Sequence, residues 1–107
     1  MPTEEKFLQK ARRIVEENLS DPDFGVHELY TELNMGRTKL HKLLKAHAGK
    51  PASLFIRSVR LQRAEVLLAT TELNISEVAY RVGFNDPNYF SRCYKEVFGV
   101  APSRVRK

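Results

Sequence analysis

The stretch ISEVAYRVGFNDPNYFSRCYKEVFG, residues 75–99, contains a short helical pattern, the turn GFN and a longer helical pattern that ends at a glycine. Asn74 precedes the first pattern as an N-cap, and Glu77 follows three residues later, which is the spacing of a capping box. Asp86 and Pro87 take the N-cap and the first helical position of the longer pattern. The stretch therefore predicts a short helix and a longer helix joined by a tight turn.

An earlier stretch, VHELYTELNMGRTKLHKLLKAHAG at residues 26–49, follows the same plan. The first helices align at an offset of 49 residues and the second helices at an offset of 50, because the second turn has one extra residue. The matching pairs include Leu29 with Val78, Leu33 with Val82, Leu40 with Phe90, Lys45 with Lys95 and Gly49 with Gly99. Two copies are too few for a solenoid, so the sequence predicts a small unit that has been duplicated.

Helical patterns cover the rest of the chain, and no alternating strand pattern of useful length interrupts them. The first helix is predicted to start after Thr3 as its N-cap and to end at the sequence SDPDFG. The final residues PSRVRK predict one last turn. The predicted fold class is all-α, with about seven helices in two helix-turn-helix subdomains joined by a long central helix.

The long helix between the two copies is predicted at about residues 52–69. Its apolar residues point nearly all round: Leu54, Phe55, Ile56, Val59, Leu61, Ala64, Val66, Leu67 and Leu68. A helix with this distribution is buried on several sides. We therefore expect one domain over residues 1–107, in which this helix links a first unit at about 3–50 to a second unit at about 74–107.

The second helix of each copy has an apolar inner arc and a polar outer face when residues are placed 100° apart. The inner arcs hold Leu40, Leu43, Leu44 and His47 in the first copy, and Phe90, Cys93, Tyr94 and Val97 in the second. The outer faces hold Thr38, Lys42 and Lys45 with His41 at the shoulder, and Asn88, Arg92 and Lys95 with Ser91 at the shoulder. The two outer sets occupy equivalent positions in the two copies.

These outer residue types suit contact with DNA, since a helix-turn-helix places its second helix in the major groove. Arginine and asparagine pair with guanine and adenine edges there, and lysine reaches phosphates or guanine. Residues 34–50 carry five bases and no acid, which suits a groove lined by phosphates. The predicted DNA-binding residues are Arg37, Thr38, His41, Lys42, Lys45, Asn88, Ser91, Arg92 and Lys95.

Charge is unevenly distributed along the chain, whose net charge is +5. Residues 1–33 hold eight acids and four bases, whereas residues 34–107 hold fourteen bases and five acids. A basic section beside an acidic one indicates that one side of the protein binds a polyanion. The alternative is that both sections are ordinary solvated charged surface.

The sequence lacks the motifs of several other classes of protein. It has no glycine-rich phosphate loop, no GxSxG and no HExxH, and its three histidines have no carboxylate or cysteine at ligand spacing. Cys93 is the only cysteine and is predicted to be a small core residue, and no apolar run approaches the roughly 20 residues of a membrane span. We expect no catalytic residue, metal, other cofactor or small-molecule ligand.

The strings RLQRA (60–64), ISEVAYRVGFNDPNYFSRCYKEVFG and APSRVRK (101–107) closely resemble the DNA-binding domain of the AraC/XylS family. The resemblance covers about residues 5–107. It implies two helix-turn-helix units on a long helix that bind asymmetric sites near promoters and usually activate transcription.

A finer resemblance is to the version of this domain that ends hybrid two-component regulators, in which a sensor, a histidine kinase and a receiver precede it. The strings FLQKARRIVEENLSDPDF, RTKLHKLLKAHAGK and FIRSVRLQRAEVLL are similar to that subgroup. This implies a cytoplasmic output domain, without enzyme activity of its own, from a membrane-bound sensor.

Carried over by position, the family's base-reading sites fall on Thr38, His41 and Lys42 in the first unit, and on Asn88, Ser91 and Arg92 in the second. Two features depart from the family. Gly25 and Gly36 stand where such sequences usually have a capping serine, and Tyr30 replaces a small residue. Glycine is a slightly weaker N-cap than serine, and Tyr30 needs more space than a small residue, so both departures bear on how rigid the first unit is.

Sequence-specific binding of promoter DNA, with one helix in each of two adjacent major grooves, is the leading hypothesis. One alternative is architectural binding of DNA without sequence preference. Another is a protein-interaction bundle, for instance one that docks on RNA polymerase. The chain shows no coiled-coil heptads, so the isolated domain is expected to be a monomer.

Overall fold

The computed structural model describes residues 2–105, with side chains from residue 5 onward. Within those residues the chain forms seven α-helices and no β-strand, which confirms the predicted all-α fold class. The helices are α1 (Pro2–Glu17), α2 (Val26–Glu32), α3 (Arg37–Ala48), α4 (Ala52–Thr70), α5 (Ile75–Arg81), α6 (Pro87–Phe98) and α7 (Pro102–Val105).

The start of α1 differs from the prediction. The helix begins at Pro2, so Thr3 lies inside it and the prediction of Thr3 as the N-cap was wrong. Proline is favoured in the first turn of a helix because N–H groups there have no acceptor within the helix, so a residue without an N–H loses no hydrogen bond. The predicted last turn includes Arg106 and Lys107, which lie outside the described residues.

The chain divides into two compact units. Of the described residues, the first unit contains 2–18 and 23–59, and the second contains 19–22 and 60–105. The boundary falls inside α4, so each part of this helix belongs to a different unit. Residues 19–22 follow α1 in the chain and yet belong to the second unit.

Each unit has its own apolar core. The first core gathers Ala11, Ile14, Val15, Phe24, Leu29, Leu33, Leu40, Leu44, Ala52, Phe55, Ile56 and Val59. The second core gathers Leu61, Ala64, Leu68, Val78, Ala79, Val82, Phe84, Phe90, Cys93 and Tyr94. Burial of one such large side chain contributes roughly 1.5–3 kcal/mol, so these cores hold the helices of each unit together.

Three apolar residues predicted to be buried are exposed instead. Leu54 and Val66 on α4 expose 40% and 46% of their surface, and Val97 on α6 exposes 51%. Apolar residues around a helix are buried only where a neighbouring helix covers them. The seven residues of α5 span about 10 Å and the twelve of α6 about 18 Å, so α5 is too short to cover the whole inner arc of α6.

The two helix-turn-helix motifs have the same turn geometry. In the first turn the Met35 N–H donates to the Tyr30 carbonyl at 3.1 Å, and in the second turn the Phe84 N–H donates to the Ala79 carbonyl at 2.9 Å. The residue before each donor has a positive φ, 59° at Asn34 and 90° at Gly83. The helix boundaries reproduce the offsets of 49 and 50 residues, which confirms the predicted repeat.

The helices of the second motif are capped by side chains. Asn74 and Glu77 form the predicted capping box at the start of α5, with both hydrogen bonds at 2.8 Å. The Asp86 carboxylate accepts from the Asn88 N–H at 2.9 Å at the start of α6, as its N-cap position predicted.

The first motif has weaker caps. At the start of α2 only the reverse half of a capping box forms, in which the Gly25 N–H donates to the Glu28 carboxylate at 2.9 Å. This hydrogen bond holds the pKa of Glu28 below its ordinary value. At the start of α3, Gly36 supplies no side-chain hydrogen bond.

We expect Gly36→Ser to raise the free energy of unfolding of the first unit by a few tenths of a kcal/mol, since serine caps a free N–H of α3. The Cβ position of Gly36 meets no atom within 4 Å, so the side chain fits. Gly36→Ala is the matched control and should lower stability, because alanine is a poor N-cap. Amide hydrogen exchange in the first turn of α3 measures both changes. Equal exchange in the two variants would contradict the expectation.

Candidate nucleic-acid interface

The predicted DNA-contacting residues of the first unit all lie on α3. Arg37, Thr38, Lys42 and Lys45 are exposed, and His41 is half-buried. Leu40 and Leu44 on the opposite side are fully buried in the core of the first unit. The buried leucines fix which side of α3 faces outward, so α3 presents a polar and mostly basic face to solvent.

The predicted residues of the second unit all lie on α6. Asn88, Arg92 and Lys95 are exposed, and Ser91 is half-buried. Phe90, Cys93 and Tyr94 are buried on the opposite side, as their inner positions predicted. Phe90 is held between aromatic neighbours, with the ring of Phe84 at 5.3 Å and the ring of Tyr94 at 5.9 Å between centroids. This anchoring leaves the polar face of α6 free to contact a partner.

Tyr30, which replaces a small residue, is accommodated by turning partly outward. Its hydroxyl lies 2.9 Å from Nδ1 of His27, and the two rings meet edge to face with centroids 5.1 Å apart. The equivalent position in the second unit is Ala79, which is fully buried. The first pair of helices therefore accepts the larger side chain at its edge.

Tyr89 contributes to the surface of α6 but could not be placed from the sequence. Its ring packs on the ring of Phe84, with centroids 5.9 Å apart, and the Arg92 guanidinium carbon lies 5.7 Å from the centroid of the Tyr89 ring. Tyr89 is 43% exposed, so its ring connects the core of the second unit with the polar face of α6.

Arg60 is a structural residue whose role was not predicted from the sequence. Its guanidinium is buried and donates to the carbonyl oxygens of Leu19, Val82 and Asp21. Burial lowers the pKa of Arg60, and the charge of the Asp21 carboxylate opposes that shift. Arg60 thus ties residues 19–22 to the turn that precedes α6. Arg60 is one of three arginines on α4, with Arg57 and Arg63, and nothing in the local sequence pattern sets it apart from them.

Neither a metal-ligand cluster nor a membrane-spanning helix occurs among residues 2–105. No group of three or more histidine, cysteine or acidic side chains there has the arrangement of a metal site. None of the helices in that range combines the length and the apolarity that crossing a bilayer needs. Cys93 is buried in the core of the second unit, as predicted.

Two helices of equal geometry, each with a buried inner side and a polar outer face, define a helix-turn-helix DNA-binding domain. A family model described as a helix-turn-helix domain matches residues 29–107. The chain belongs to this family, in its AraC type, which confirms the resemblance drawn from the sequence.

Three similar proteins illustrate the relationship. The chain is 41% identical over 103 residues to histidine kinase P4 of Formosa agariphila, which covers 96% of the chain and 8% of that protein. The C-terminal domain of the response regulator yesN of Fusobacterium nucleatum has a TM-score of 0.81 and 31% identity, covering 92% of the chain and 96% of that domain. The DNA-binding domain of AdpA, solved with a target DNA, has a TM-score of 0.82 at 24% identity, covering 92% of the chain and 88% of that domain.

The curated relatives are much longer than this chain. It spans 8% of the kinase and 30% and 38% of two transcriptional activators that it also matches. The shared part is a transcription-regulator domain that binds DNA.

Proposed function

We propose that residues 1–107 form the output domain of a transcription activator, in which α3 and α6 are the recognition helices and enter two adjacent major grooves of promoter DNA. The observation that carries this proposal is the equivalence of the two outer faces. Position by position, Thr38 matches Asn88, His41 matches Ser91, Lys42 matches Arg92 and Lys45 matches Lys95. A single lysine-rich helix would be ordinary surface, whereas two matched faces in one repeated frame are typical of paired DNA readers.

The proposed roles follow from side-chain chemistry. Arg92 donates in pairs to a guanine edge, and Asn88 pairs with an adenine edge. Thr38, His41 and Ser91 make single hydrogen bonds to bases, and Lys42 reaches a guanine or a phosphate. Arg37, Lys45 and Lys95 contact phosphates and set the register of the helices. Phosphate contacts of this kind make the affinity fall as salt rises.

The regulator to which the domain belongs is proposed to be a cytoplasmic or membrane-anchored two-component protein. The similarities to a histidine kinase and to the domain of a response regulator support this placement. A phosphorylation signal would then control the access of the domain to DNA. Contact with RNA polymerase is the proposed route to activation, and the isolated domain is proposed to bind as a monomer.

The proposal is tested by selecting duplexes that the chain binds from a random pool. A preferred sequence that spans two successive major grooves, about 34 Å apart on one face of the duplex, is the expected result. Architectural binding predicts no enriched sequence. A protein-interaction bundle predicts that no DNA is retained. A footprint over one groove alone would exclude the binding of α3 and α6 in two adjacent major grooves.

We expect Arg92→Ala to weaken binding to the selected duplex by about 1–3 kcal/mol and to relax the preference at one base pair. Lys95→Ala, one turn further along α6, is the matched control. It should weaken all duplexes evenly and reduce the salt slope by about 1. Binding isotherms at several salt concentrations measure both effects. If Arg92→Ala lowers the affinity for all sequences equally, Arg92 contacts phosphate and not a base.

A further inference from the structure

Arg92 has an aromatic neighbour on its own helix. Its guanidinium carbon lies 5.7 Å from the centroid of the Tyr89 ring, three residues earlier in the chain. This distance is within the roughly 6 Å over which a cation is attracted to the face of an aromatic ring. The two residues lie on adjacent turns of one face of α6, so the contact forms within the helix.

The Tyr89 ring is itself held by the core. It packs on Phe84 with 5.9 Å between centroids and 49° between ring planes. Phe84 is only 7% exposed and meets the buried ring of Phe90 edge to face at 5.3 Å. The Phe84 N–H is fixed by its hydrogen bond to the Ala79 carbonyl. A continuous series of rings therefore runs from the core of the second unit to the guanidinium of Arg92.

We infer that Tyr89 is a positioning residue that holds the Arg92 side chain in its base-reading arrangement before DNA arrives. This inference rests on the proposed function and assigns a role to a residue outside the base-reading set. An arginine side chain on a helix surface samples many rotamers, and ordering them on binding reduces affinity. A ring that already favours one arrangement lowers that entropic cost.

The first unit has no counterpart to this arrangement. At the offset of 50 residues, Lys39 takes the place of Tyr89 and Lys42 takes the place of Arg92. Both lysines are exposed, and repulsion between like charges disfavours their close approach. The second unit therefore reads its bases with a pre-ordered side chain, and we expect the sharper base preference in its half of the site.

A double-mutant cycle between positions 89 and 92 tests the inference. The probes are the duplex enriched by the unaltered chain from the random pool and the same duplex with the base pair read by Arg92 replaced. Tyr89→Leu should reduce the preference between the two duplexes about two- to fivefold, which corresponds to the loss of an exposed cation–π contact. Tyr89→Phe keeps the ring face and should retain the preference. In an Arg92→Ala background, Tyr89→Leu should change nothing.

A second measurement needs no DNA. In the free protein, ¹⁵N relaxation of the Arg92 Nε–H group should show a lower order parameter in Tyr89→Leu and no change in Tyr89→Phe. Arg63 on α4 is exposed and serves as the internal reference, because its mobility should be equal in all variants. A role of Tyr89 in folding alone would not produce this difference between Leu and Phe.

The outcomes separate this inference from the proposed function. An equal loss from Tyr89→Leu in both backgrounds would mean that Tyr89 acts independently of Arg92, and it would overturn the inference. A loss in Tyr89→Phe equal to that in Tyr89→Leu would mean that the hydroxyl contacts DNA, with the same consequence. If Arg92→Ala itself leaves base preference intact, Arg92 does not read a base, and the base-reading role proposed for it fails. A lower Arg92 order parameter in Tyr89→Leu would then still support the contact.

Discussion

Gly83→Ala should lower the free energy of unfolding of the second unit by about 2–5 kcal/mol. Gly83 has a φ of 90°, and a left-handed conformation costs an L-residue roughly 1–2 kcal/mol. An added Cβ would also overlap Nη1 of Arg60 and lie 2.5 Å from the Leu19 carbonyl oxygen. The guanidinium would have to leave its buried acceptors, which adds about 1–3 kcal/mol for a lost buried partner. Urea denaturation followed by circular dichroism measures the loss.

Gly99→Ala is the matched control for this prediction. Gly99 closes α6 with a φ of 82°, and its Cβ position meets no atom within 4 Å. It therefore incurs only the conformational cost of roughly 1–2 kcal/mol. The difference between the two variants isolates the displacement of Arg60. An equal loss of unfolding free energy in the two variants would show that the packing of Arg60 against Gly83 does not contribute to stability.

Arg60→Met should destabilise the second unit by about 2–4 kcal/mol. Methionine keeps much of the apolar stem but removes the donors to the Leu19, Val82 and Asp21 carbonyls. A buried acceptor left without a donor costs about 1–3 kcal/mol, and part of this cost is relieved where water reaches the loop of residues 19–22. The thermal midpoint should fall by roughly 10 °C or more, since 1 kcal/mol corresponds to about 4–8 °C in a unit of this size.

Arg63→Met provides the control on the same helix. Arg63 is exposed, and surface substitutions of this kind usually change stability by less than about 0.5 kcal/mol. A similar midpoint in Arg60→Met and Arg63→Met would show that the three carbonyls find other donors.

The helices and the outward faces of α3 and α6 could be predicted from the sequence because both depend on local rules. Asn74, Asp86 and Pro87 mark helix starts by their own chemistry, and the structure places them there. The outer residues follow from the helical period once the buried positions such as Leu40 and Phe90 are known. Whether those outer residues contact DNA stays a prediction.

The network around Arg60 could not be predicted, because its partners are distant in sequence. The acceptors Leu19, Asp21 and Val82 lie 41, 39 and 22 residues away. Their carbonyls carry no side-chain signal, so nothing in the local pattern distinguishes Arg60 from the exposed Arg63. The contact of Tyr89 with Phe84 could not be predicted either, because it depends on the orientation that the turn gives to the Phe84 ring.

Burial was overestimated where helical period alone was used. Leu54, Val66 and Val97 occupy apolar arcs and are nevertheless exposed. The helical period gives the direction of a side chain, whereas burial also depends on whether a neighbouring helix covers that position.

The placement of residues 19–22 in the second unit has a consequence for dissecting the protein and for its synthesis. A fragment cut at the middle of α4 and beginning at Arg60 would retain the Val82 acceptor but lose the acceptors at Leu19 and Asp21. Such a half should therefore express as a poorly ordered, protease-sensitive product. During synthesis the amino-terminal residues emerge from the ribosome first, so the Leu19 and Asp21 carbonyls stay hydrated until Arg60 has been translated. The second unit is thus completed by residues 19–22, which are translated before most of the first unit.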